Sequence, residues 1–135
     1  LRPDLKVLDF DPSSDEFAQF SIVWPNSWDK GTITFKAFFT VTGTNTGSVA
    51  WGLAGVAITD DETINTAFPT PTVATAKAHS GTSNDLNVTA ESGAVTISGT
   101  PANDDMVFFQ VNRDVSADDQ SGDARLLGIK INFII

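Results

Sequence analysis

From Gly31 to Thr42 the chain alternates with a period of two. Ile33, Phe35, Ala37, Phe39 and Val41 fall on one side, and Thr32, Thr34, Lys36, Phe38 and Thr40 on the other. That period marks a strand with one face on a core. The end of the chain repeats it. Leu127, Ile129, Ile131, Phe133 and Ile135 alternate with Gly128, Lys130, Asn132 and Ile134. No long stretch has the 3.6-residue period of an amphipathic helix, and no internal repeat is present.

Further strands are predicted at the spacing of an all-β domain. Glu16 to Trp24 sets Ala18, Phe20, Ile22 and Trp24 on one face. Val49 to Thr59 is apolar, with Val49, Trp51 and Leu53 on one face and Gly52 and Gly55 marking a bulge or a close backbone approach. Thr72 to His79 carries Ala74, Ala76 and Ala78. Leu86, Val88 and Ala90 are expected to pair with Val95 and Ile97 across a turn at Ser92-Gly93. Met106 to Arg113 contributes Val107, Phe109 and Val111, and Leu5 to Phe10 a weaker strand. Short helical turns are expected at Pro25 to Lys30 and at Asp61 to Ala67. One residue in five is Ser or Thr, a composition that leans towards strands. The expected fold is all-β: one antiparallel β-sandwich domain over residues 1–135, jelly-roll-like, with eight to nine strands.

Charge and composition narrow the function. Eight basic residues against 17 acidic ones give a net charge of -9. Binding phosphates needs clustered Lys and Arg, so a nucleic-acid partner is not expected. No apolar run approaches the roughly 18 residues of a membrane span, so no membrane insertion is expected. Cysteine is absent, which removes disulfides, thiolate metal sites and a cysteine nucleophile. The chain begins at Leu1 and shows no signal peptide, as expected of a processed product or a piece of a longer protein.

Few residues suggest chemistry. The oxygen-rich loop Asp114 to Asp123, with Asp118, Asp119 and Gly122, is a candidate calcium site, though it lacks the order of an EF-hand. Otherwise no cofactor is expected. Asp9, Asp11, Asp15 and Glu16 form a second acidic group. Arg113-Asp114 and Asp123-Ala124-Arg125 are expected to tie the loop by surface ion pairs. A glycosidase needs two carboxyls at a set separation, and nothing marks such a pair here. No Gly-x-Ser-x-Gly elbow occurs. The single histidine, His79, reads as a surface residue near a strand end. Asn87 falls on the solvent face of its strand. No catalytic residue is assigned, and the chain is not expected to be an enzyme. Trp24 and Trp51 share the core phase of their strands. Trp28, in the turn after Pro25, is the one candidate platform for stacking on a sugar.

The anomaly is apolar residues on the wrong face. Phe17, Phe38, Phe108, Leu126 and Ile134 all interrupt otherwise polar sides. A sandwich with wet outer faces should not show them. Gathered in one patch they would mark an interface. A homo-oligomer is therefore expected, and by analogy with other jelly rolls a trimer joined through a sheet face.

Six stretches of the chain are also familiar together: Leu8 to Phe17, Trp24 to Phe35, Val49 to Ala57, Asn84 to Ser92, Arg113 to Ser116 and Asp123 to Lys130. In this order they resemble a small domain of virion surface proteins of tailed bacteriophages. None of them is a chemical motif. The resemblance implies a non-enzymatic structural protein on the virion surface: a capsid decoration or head-fibre protein, or a tail-fibre domain. It implies other virion proteins as partners, such as the major capsid protein or a fibre. The alternative is a carbohydrate-binding module that recognises host surface glycan.

Overall fold

The computed structural model describes residues 5–135. Its eleven strands are β1 (Leu8–Phe10), β2 (Phe17–Val23), β3 (Thr34–Val41), β4 (Ser48–Val49), β5 (Trp51–Ile58), β6 (Thr72–Val73), β7 (Lys77–Ala78), β8 (Asn87–Val88), β9 (Ile97–Ser98), β10 (Met106–Arg113) and β11 (Ala124–Asn132). Five of these are only two residues long. One 3-10 turn spans Val115–Ala117.

Two large sheets and one two-stranded sheet form the described part of the molecule. Of the large sheets, one runs β1-β11-β3-β8, the other β2-β10-β5-β6. Their ladders are antiparallel. β9 adds to β5 in parallel, and β4 pairs with β7. The fold is an all-β antiparallel sandwich, as the alternation predicts.

The core lies between the sheets. Phe35, Ala37, Phe39 and Val41 of β3 meet Leu53, Val107, Phe109 and Val111 of the other layer. Each fully buried Val, Leu or Phe among them contributes about 1.5–3 kcal/mol. Trp51 links the layers, with ring centroids 5.0 Å from Phe10 and 5.8 Å from Phe39. All eight residues of β5 are buried. A strand covered on both faces reads as a continuous apolar run, which explains Trp51 to Ile58. Gly55 marks a close approach rather than a bulge. A Cβ there would lie 2.7 Å from Ile97 Cδ1 and 2.9 Å from Phe109 Cε1.

Several expectations are corrected. Neither predicted helical turn forms. Residues 25–28 make one hydrogen-bonded turn (Trp28 N to Pro25 O, 3.0 Å), and residues 59–62 another (Glu62 N to Thr59 O, 3.0 Å). The strand predicted over Thr72 to His79 breaks into β6 and β7, which pair with different partners. The predicted hairpin is absent. β8 joins β3 in one sheet, whereas β9 joins β5 in the other. Its phase is inverted too: Asn87 and Thr89 are buried, and Leu86 is exposed. The polar side chains are inside because they bond. Asn87 Nδ2 donates to the Asp85 carbonyl, and its Oδ1 accepts from Ser80 N. Thr89 and Ser92 hydroxyls accept from the Ala37 and Phe35 N–H groups along the edge of β3.

Candidate functional site

The five apolar side chains do not form one patch. Leu126 is core, only 7% exposed, in register with Leu8 and Phe39. The cause is a bulge between Leu126 and Gly128, which shifts the register and reverses the phase of β11. Ala124 and Leu126 face inward before it, Ile129 and Ile131 after it. Phe38 lies half-buried on the outer face of the β3 sheet, and the exposed Ile134 lies beyond β11 of that sheet. Phe17 and Phe108 belong to the other sheet, on the far side of the core.

The outer face around Phe38 is polar. Lys36 and Lys130 stand directly opposite each other across the β3–β11 ladder. Nearby, Glu91 accepts from the Thr34 hydroxyl and from Asn132 Nδ2 (2.9 Å). These two bonds, Thr34 first, hold the Glu91 carboxyl below its usual range. Asp11 is lowered in the same way, chiefly by the Ser13 hydroxyl and backbone N–H.

The other outer face is apolar at its margin. Phe17 and Val23, at the two ends of β2, are 55% and 58% exposed, and Met106 opposite Val23 is 40% exposed. Phe108 is half-buried in a groove of about 390 Å³ shared with Gln19, Val56, Ile64, Asn65 and Phe68. A second cleft, about 410 Å³, opens between the sheets where Ala18 and Phe20 of β2 face Leu126 and Ile129 of β11. β1 pairs with only Ala124 to Leu126, so beyond the bulge no strand closes this side among the described residues. Among the described residues neither cleft is lined by a carboxylate.

Trp28 is not an exposed platform. It is 3% exposed, with its ring centroid 5.2 Å from that of Trp24. Trp24 in turn meets Phe133 edge-on at 5.1 Å. The turn carrying Trp28 is tied down by Asp29 N donating to the Ile134 carbonyl at 2.8 Å. Aromatic area is worth more buried than displayed here, so Trp28 closes one end of the core.

The 114–123 loop is organised by a side chain of the protein. Arg113 is wholly buried, and the surrounding oxygens converge on its guanidinium. Nε and Nη2 donate to the two oxygens of Asp118 at 2.8 and 2.9 Å. Nη1 donates to the carbonyls of Phe10 and Gly122, and Nη2 to that of Gln120. Asp114 caps the 3-10 turn through Ser116 N, and Asp119 accepts from Ser48 N at 2.5 Å. Among the described residues no three His, Asp or Glu side chains gather as a metal site. The expected ties are also reassigned: Arg113 pairs with Asp118 rather than Asp114, and Arg125 with Asp9 at 3.0 Å. The Arg113 pair is not a surface one, its side chains being 0% and 2% exposed. His79 is likewise buried, with Nδ1 2.9 Å from the Asn45 carbonyl.

The sequence gives a readable sign of one feature that hydropathy alone passes over: β2 contains no charge, Pro or Gly. Compared with known proteins, the chain matches no family, no curated protein and no solved structure.

Proposed function

We propose that this chain is a non-enzymatic structural module on the surface of a tailed-bacteriophage particle. It serves as a capsid decoration or head-fibre protein, or as a tail-fibre domain, and it self-associates. The observation that carries the reading is the apolar margin of the β2–β10 sheet, with Phe17, Val23 and Met106 exposed on an otherwise acidic chain. The six stretches that resemble virion domains support its setting.

The architecture is proposed to be a jelly roll. Setting aside β4, β7 and β9, the remaining strands lettered B to I in chain order give sheets B-I-D-G and C-H-E-F. That order supports two interlocked Greek keys. On the virion the module contacts the major capsid protein or a fibre. Antibody raised against the chain is expected to label the surface of the particles whose genome encodes it, seen by electron microscopy. Unlabelled particles overturn the assignment.

A second reading, recognition of host surface glycan, moves from Trp28 to the groove at Phe108. There an aromatic floor lies beside the amides of Gln19 and Asn65, an arrangement suited to a neutral sugar. Saturable binding on an array of bacterial polysaccharides, lost in Phe108→Ala, is the expected result under this reading. An array on which the unaltered chain binds nothing removes it.

A further inference from the structure

We infer that β2 pairs antiparallel with β2 of a second copy, joining two β2–β10 sheets into one continuous sheet. The inference rests on the self-association proposed above and names its interface.

A strand at a sheet edge presents unpaired N–H and C=O groups, and proteins blunt such edges with short strands, charges, prolines or bulges. Among the described residues the other edges of the two large sheets are blunted. β1 has three residues, carries Asp9 in an ion pair with Arg125, and is followed by Asp11-Pro12. β8 has two residues. β6 has two and follows Pro69 and Pro71; β9 has two and precedes Pro101. β11, where β1 no longer covers it, has the bulge and Lys130.

β2 is the exception. Phe17-Ala-Gln-Phe-Ser-Ile-Val23 is seven residues long and, among the described residues, pairs only with β10. It is uncharged, and none of its residues is fully buried. Such a segment is a template for strand addition unless something covers it.

Charge points to a second copy in antiparallel register as the cover. Each copy carries -9, so two copies repel, and the repulsion is least where the contact itself is free of acids. β2 is such a strip, and the acids lie just before it, at Asp15 and Glu16. Parallel pairing would set these acids against each other. Antiparallel pairing centred on Phe20 sets them beside Trp24 and Pro25 of the other copy. It also places Phe17 beside Val23, an apolar cross-strand pair, and Gln19 beside Ser21. This pairing is two-fold, so it builds a dimer and not the trimer expected by analogy.

The test is the solution mass of the full chain by light scattering, with circular dichroism to confirm folding. The expected mass is twice 14.3 kDa. The variant Gln19→Lys/Ser21→Lys changes two exposed side chains of β2 and is expected to fall to the single mass. Register is read by oxidation, since the chain has no cysteine of its own. A mixture of Gln19→Cys and Ser21→Cys chains should crosslink far more than either alone. An oligomer that survives the lysine pair, or a mass of three copies, overturns the β2 pairing and leaves self-association standing. A monomer at every concentration overturns both.

Discussion

A guanidinium taken out of water costs several kcal/mol unless its donors are met and its charge is balanced. At Arg113 both conditions hold, through Asp118 and the carbonyls of Phe10, Gln120 and Gly122. Asp118 is itself held, accepting from Ala50 N and Gln120 N. One side chain thus fixes the end of β10, the end of β1 and the long loop before β11. Arg113→Met should destabilise the fold by about 3–5 kcal/mol, because it strands a buried carboxylate and three carbonyls. Asp118→Asn should also destabilise, and the double variant should cost less than the sum of the two. Thermal melts of the four proteins measure this, and a change within ~0.5 kcal/mol for Arg113→Met would mean that the buried pair contributes no more than a surface one. Adjacency in sequence points to Asp114 as the partner instead. Successive residues of a strand project to opposite sides, so the residue that reaches Arg113 comes from further on, where the chain turns back through Val115–Ala117. His79 and Trp28 were illegible for a related reason. Residue type sets an average exposure, while the Asn45 carbonyl and the Trp24 ring decide these two cases.

At the scale of elements, β3 shows what the period of two does and does not encode. Its inward residues Phe35, Ala37, Phe39 and Val41 are all buried, as the alternation requires; the inward set of β10 follows the same rule, while that of the edge strand β2 is half-buried. The alternation carries no record of a bulge, so the phase of β11 is legible on only one side of Gly128. It also carries no record of partners. Leu86, Val88 and Ala90 alternate, yet the segment is used for its hydroxyls and amide. Side-chain oxygens of Thr89 and Ser92 stand in for ladder carbonyls at Ala37 N (3.0 Å) and Phe35 N (2.9 Å). Thr89→Val keeps the shape and removes the acceptor, leaving the buried Ala37 N–H unmet. The expected loss is about 1–3 kcal/mol, read from the denaturant midpoint at unchanged slope. Thr89→Ser keeps the hydroxyl and should lose clearly less. Equal losses in the two variants would mean that the methyl group, not the bond, is what matters.

For the whole molecule the dominant quantity is charge. The chain carries -9, so a dimer carries -18, twice that value. Most of this charge is on loops and turns, where solvent and salt reach it. The contact itself, along β2, has none. Two opposing effects of salt are therefore separable. Ion pairs across an interface weaken with salt, whereas repulsion between like-charged bodies is screened and association strengthens. With an uncharged strip between two acidic copies, only the second effect operates. Raising sodium chloride from ~0.02 M to ~0.3 M shortens the Debye length from roughly 20 Å to under 10 Å and should tighten the dimer. Sedimentation equilibrium at the two concentrations measures the dissociation constant, which should fall severalfold. A constant that rises with salt would place ion pairs at the contact. The surface of the β3 sheet, where Lys36 faces Lys130, would then be the one to meet an acidic partner.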